Sequence, residues 1–212
     1  MKAFTYSLIL ATALSSSALA QPHNHSHSHS SIKTPNQGIL TTIIQSMHEP
    51  MMKHSPVKSG NANKDFLSNM IPHHQGAILA SKEVLKVPNL NPKIRKIAEN
   101  IIKSQEEEIK LFNSLLSKSL PQTPNKKAYK NFYDESQKTM DSMMDKMNKA
   151  YDDNPQKAFL AGMIPHHQGA ILASEQILKI SDDSKTREIA NDIIKEQTKE
   201  IAEMENLLKE ME

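Results

Sequence analysis

Along residues 66–81 the buried-type positions recur at the three- and four-residue spacing of a helix. At about 100° per residue, Phe66, Met70, His73, His74, Ala77 and Ser81 fall within about 60° of one line. Phe159, Met163, His166, His167, Ala170 and Ser174 draw the same stripe again. A third segment sets Ile94, Ala98, Ile101, Ile109 and Phe112 on one face, with Gln105 in its middle and Glu108 at its edge. Glu106 and Glu107 point away, and the second version of this segment replaces them with Thr198 and Lys199 while keeping Gln197 and Glu200. Met47, Met51 and His54 follow i, i+4, i+7 spacing, as do Met140, Met144 and Met147, with Met143 beside the second stripe. Strand-like alternation of β-branched residues is scarce, so the pattern predicts an all-α protein.

The helix starts are marked. Asn91-Pro92 and Asn154-Pro155 pair a capping side chain with proline at the first helical position, and Asp183 caps the last helix. Pro72 and Pro165 then lie inside their helices, where each removes a backbone hydrogen bond at about 3 kcal/mol and bends the axis beside a His pair. Pro50 is expected to break the first Met-bearing segment.

The whole arrangement occurs twice. MIPHHQGAILAS stands at residues 70–81 and, letter for letter, at residues 163–174, 93 residues apart. That offset also pairs Met47 with Met140, Met51 with Met144 and His54 with Met147; beyond the motif it becomes 92, so that Phe112 aligns with Met204. The expected organisation is a helical repeat over 38–116, a Pro-bearing linker over 117–127 and a second repeat over 128–212. Two such repeats bury their inner faces as a four-helix bundle with two Met-bearing helices attached.

The first residues read differently. Met1–Ala20 has a charged start, a short apolar run and a small-x-small end, the form of a secretory leader cleaved after Ala20. Residues 21–37 follow as an expected disordered tail whose His23, His25, His27 and His29 can collect divalent metal loosely. No segment carries the ~20 apolar residues a membrane span needs. Lys and Arg number 26 against 24 Asp and Glu, a balance that argues against nucleic acid as partner. Cysteine is absent, which excludes disulfides and thiolate sites.

A Met on an inward stripe is ordinarily packing, and a buried His is ordinarily hydrogen-bonded core. Here, outside the tail, every His stands beside Met on a segment that recurs. Thioether plus imidazole is a soft, uncharged donor set, which selects Cu(I), with Ag(I) and Cu(II) as the other candidates. The ligand candidates are Met47, Met51, His54, Met70, His73, His74, Met140, Met143, Met144, Met147, Met163, His166, His167 and Met204. Glu108 and Glu200, and more weakly Gln105 and Gln197, are placed to accept the spare ring N–H of a ligating His and so fix its orientation.

Asp65-Phe66-x3-Met70-Ile71-Pro72-His73-His74-Gln75, followed by Ile97-Ala98-x2-Ile101-x3-Gln105-x2-Glu108-Ile109, resembles the bacterial family called domain of unknown function 305. The second copy matches from Phe159 to Met204 but has Ala158 where the first has Asp65. The resemblance implies a ferritin-like helical bundle. It also points to periplasmic copper-binding members of the CopM type, which hold copper through Met and His. Met70, His73 and His74, and Met163, His166 and His167, match that motif. The expected function is therefore sequestration of copper in the periplasm for resistance or homeostasis, without enzymatic activity, with a copper exporter or another periplasmic copper protein as partner. The rivals are a ferritin-like di-iron oxidase, which wants the Glu-x-x-His pairs this chain lacks, and a metal-free helical interaction module.

Overall fold

Six helices form among the described residues, three of them starting where Asn91, Asn154 and Asp183 put them: α1 Pro35–Lys53, α2 Ala62–Val84, α3 Pro92–Leu116, α4 Lys126–Lys149, α5 Pro155–Leu178 and α6 Ser184–Glu210. The computed structural model describes residues 35–123, 125–150 and 152–212. The leader and the four tail histidines lie outside the described residues. Asn61, Asn91, Asn125 and Asn154 each accept a hydrogen bond from a backbone N–H of the first turn of the helix they precede, and the Asp183 carboxylate accepts from the Thr186 N–H at 2.8 Å. Among the described residues no helix is long and apolar enough to cross a membrane.

Three boundaries differ from the sequence reading. Helix α1 begins at Pro35, inside the segment expected as tail, because proline suits a first helical turn. It also runs through Pro50 to Lys53; Pro50 is buried in the core, and packing there outweighs the lost backbone bond. Helix α4 starts at Lys126, since Asn125 caps it, so the linker is shorter than 117–127.

Helices α2 and α5 are the inner pair: α2 packs against α1, α3 and α5, and α5 against α1, α4 and α6. They run antiparallel, because the first half of α2 and the second half of α5 share one hydrophobic cluster. That cluster is aromatic, built on Phe66, Phe112 and Phe132 with Met70, Ala170 and Ile193. The other is thioether-rich and holds Met47, Met51, Met143, Met147, Met163 and Met204. The predicted stripes are buried throughout: every one of their twelve residues is at most 5% exposed.

Two motif glycines set how closely the outer helices approach. A Cβ on Gly76 of α2 would collide with the Met47 carbonyl of α1, and one on its equivalent, Gly169 of α5, with the Met143 side chain of α4. The packing therefore equates Met47 with Met143 and Met51 with Met147, three residues away from the pairing the sequence offset gave. An expected result follows from the chemistry of the two obstacles. Gly76→Ala strikes backbone and destabilises the fold by about 1–3 kcal/mol, the usual range for overpacking. Gly169→Ala strikes a flexible thioether and does less harm. Urea denaturation of the two variants checks the order.

Candidate metal centre

Where α2 crosses α5, the two copies of the motif meet. The His73 and His166 rings lie 3.7 Å apart between centroids, tilted by 36°, and His73 Nε2 donates to the His166 carbonyl at 3.1 Å. His74 and His167 flank them, 6.0 and 6.1 Å from their neighbours. All four imidazoles are buried. The fold thus brings the motif histidines of both repeats together at a single crossing.

Accounting for ring nitrogens shows what the junction lacks. His73 Nδ1, His74 Nδ1, His167 Nδ1 and both nitrogens of His166 have no hydrogen-bond partner within the protein. His167 Nε2 is bonded to Glu200 Oε2 at 2.8 Å. His74 Nε2 lies 2.7 Å from Glu108 Oε2, but the alignment is too poor for a hydrogen bond. Both carboxylates thus stand where the sequence put them, against an imidazole. Gln105 and Gln197 do not: both are buried, their Oε1 atoms are unpartnered, and neither is hydrogen-bonded to a ring. Ser81 and Ser174 are likewise buried, with unpartnered Oγ atoms.

Electrostatics keep the central rings neutral. Burial pushes the His73 and His166 imidazoles well below their ordinary 6.5, and the neighbouring imidazoles push in the same direction. Neutral imidazole is the form that binds a metal. On the far side, desolvation and then the carboxylates of Glu108 and Glu200 hold the Glu196 carboxyl above its usual range, so α3 and α6 bring acids together behind the His pairs. Among the described residues no three His, Asp or Glu side chains are grouped so that they could hold a metal ion.

Thioethers are at hand in two groups. Met47, Met147, Met163 and Met204 are packed inside the thioether-rich cluster, each at most 4% exposed. Met51, Met70, Met140, Met143 and Met144 line a pocket of about 380 Å³ between α1, α2, α4 and α5. Met52 joins them, although the sequence stripe excluded it; at 72% exposure it stands at the open side. His54 lines the same pocket, away from the buried junction, with Nδ1 bonded to the Pro50 carbonyl at 2.8 Å. His73 lines it too and so belongs to both places.

Two more residues escaped the sequence reading. His48 is half-buried, its imidazole is lowered by that burial, and its charge is felt at His166. Its position next to Met47 was the available signal. Glu196, one turn before Glu200, was the other.

The comparisons with known proteins agree with this architecture. The chain matches the family described as Domain of unknown function (DUF305) twice, over residues 13–116 and 63–208. Uncharacterized protein L153 of Acanthamoeba polyphaga mimivirus is 44% identical over 54 residues, which is 26% of this chain. The match spans 36% of that relative's length. Among solved structures, CopM in the Cu(II)-bound form shares the fold, with a TM-score of 0.51 and 24% identity over 71% of this chain and 97% of that one.

Proposed function

We propose that this chain, which belongs to the DUF305 family, is a copper-binding protein that holds mainly Cu(I) through Met and His. One observation carries the reading: four buried imidazoles meet at the crossing of α2 and α5 with five ring nitrogens that have neither a hydrogen bond nor a close carboxylate. Each polar atom left unpaired in a core costs about 1–3 kcal/mol. A fold that merely needed packing would fill the crossing with leucine. A soft cation bound to nitrogens of the central His73–His166 pair would remove part of that penalty, and the acids of α3 and α6 favour its charge. The solved neighbour of this fold, CopM, carries Cu(II), and copper is the metal that both donor types accept.

The donors suit holding rather than turnover. Neutral Met and His stabilise Cu(I) without the carboxylate-rich sphere of an oxygen-activating di-iron centre, so the protein is read as a binder, not an enzyme. The leader-like pattern of residues 1–20 supports work in the periplasm or outside the cell. There the protein sequesters copper and protects the cell, with a copper exporter or another periplasmic copper protein as partner in exchange. The test is anaerobic competition between the full chain and a coloured Cu(I) chelator. The chain is expected to withdraw Cu(I) from the chelator and to keep it against excess Zn(II). If all Cu(I) stays with the chelator, the reading fails.

A further inference from the structure

We propose that the Met-lined pocket, which adjoins the imidazole junction at His73, is a second metal site that binds one soft monovalent ion through thioethers alone or with His54. This deepens the copper reading and rests on it for the class of ion. Six of the chain's twelve methionines line this one cavity. Methionine used as filler closes gaps, because its flexible side chain adapts to whatever space is left. Here six such chains surround about 380 Å³ instead of filling it. The lining comes from both repeats: Met51, Met52 and Met70 from the first, Met140, Met143 and Met144 from the second.

The duplication supplies an internal control. In the register that the glycines enforce, the positions equivalent to Met51, Met52, Met140 and Met144 are Met147, Asn148, Ile44 and His48. The positions equivalent to Met70 and Met143 are Met163 and Met47. At that other end Met47, Met147 and Met163 are packed shut, at 4% exposure or less. Equivalent surfaces thus give a closed thioether core around Met147 and Met163 and an open pocket around Met51 and Met70, with Met51 and Met143 belonging to both. The open one carries Met52, Met140 and Met144 where the closed one has Asn148, Ile44 and His48. Those are the pocket methionines with most access to solvent: Met52 is exposed, and Met140 and Met144 are half-buried. Additional donors on the accessible wall are what ion capture needs and what packing does not. Asp141 also lines the pocket and favours a cation there.

The experiment labels the full chain with 13C at the methionine methyls and titrates it with silver nitrate in chloride-free buffer. Silver(I) is the probe because it shares the ligand preference of Cu(I) without its redox chemistry. Resonances of Met51, Met52, Met140 and Met144, assigned through single Met→Leu variants, are expected to shift on binding. Met52→Leu, on an exposed side chain that cannot disturb folding, is expected to weaken retention of this ion at least roughly tenfold, since even residues supporting a ligand are worth that much. His166→Leu is expected to leave it in place. If the chain retains Ag(I) while these four methyls stay still, or while only Met47, Met147 and Met204 respond, the pocket is no metal site and the junction reading stands. If the chain retains no Ag(I) at all, both readings fall together.

Discussion

Replacing His73 and His166 together by leucine is expected to remove one tightly held Cu(I) and to leave the apo protein at least as stable as before. The two effects have one cause. Both rings are buried, and three of their four nitrogens find no partner in the protein. The only bond lost is His73 Nε2 to the His166 carbonyl. Leucine brings apolar volume and takes three unpaired nitrogens out of the core, a change that is ordinarily neutral or stabilising on the order of 1 kcal/mol. Copper binding should fall at least roughly 100-fold at this site, the larger end of what lost support around a metal costs. Thermal unfolding of the apo protein and Cu(I) competition, run on the same samples, check both halves. A variant that keeps its copper would show the junction to be core alone. One that unfolds easily would show the imidazoles to be structural.

Mild acid is expected to destabilise the metal-free protein, and copper to oppose it. Burial holds His73 and His166 well below 6.5, so the folded chain refuses protons that the unfolded chain accepts. As the pH falls below 6.5 the unfolded state therefore gains. Stability is fully present above that value and declines until the lowered folded-state values are reached. Each imidazole contributes up to about 1.4 kcal/mol per pH unit in that window. Most carboxylates titrate lower, so the interval from pH 6.5 to about 5 reports mainly on histidine, with the raised Glu196 carboxyl acting in the opposite sense. Bound metal stabilises the fold further, by about 2.7 kcal/mol at a hundredfold excess over its dissociation constant. Urea denaturation at several pH values measures the slope, and the His73→Leu, His166→Leu protein should lose most of it. An unchanged slope in that variant would assign the acid sensitivity to other groups.

A second buried group, Asp65, shows how the repeats diverged. Its carboxylate accepts from the Ser59 N–H and hydroxyl and from Tyr129 Oη at 2.6 Å, tying the loop before α2 to α4. Burial and this bond push the Tyr129 hydroxyl up to about 12. Copy two has Ala158 at the equivalent place, also buried, and needs no such clasp. The clasp belongs to the end of the bundle that carries the open pocket.

How much of this was legible beforehand follows from what each feature depends on. Helix starts depend on neighbours in sequence, so Asn91, Asn154 and Asp183 announced them. Inner faces depend on a 3.6-residue period, so the stripes through His73 and His166 were readable to the residue. The pairing of Glu108 with His74 and of Glu200 with His167 could be anticipated because an inward acid survived the duplication while Glu106 and Glu107 did not. Pro50 could not be read locally, because whether a helix tolerates proline is decided by the packing around it. Nor could the junction, since two motifs 93 residues apart meet only when α2 and α5 run antiparallel. The register of α1 against α4 was likewise set by contact, at Gly76 and Gly169, and not by sequence offset. That three-residue shift separates a closed methionine core from an open pocket, because it decides which of the same side chains turn inward and which line a void.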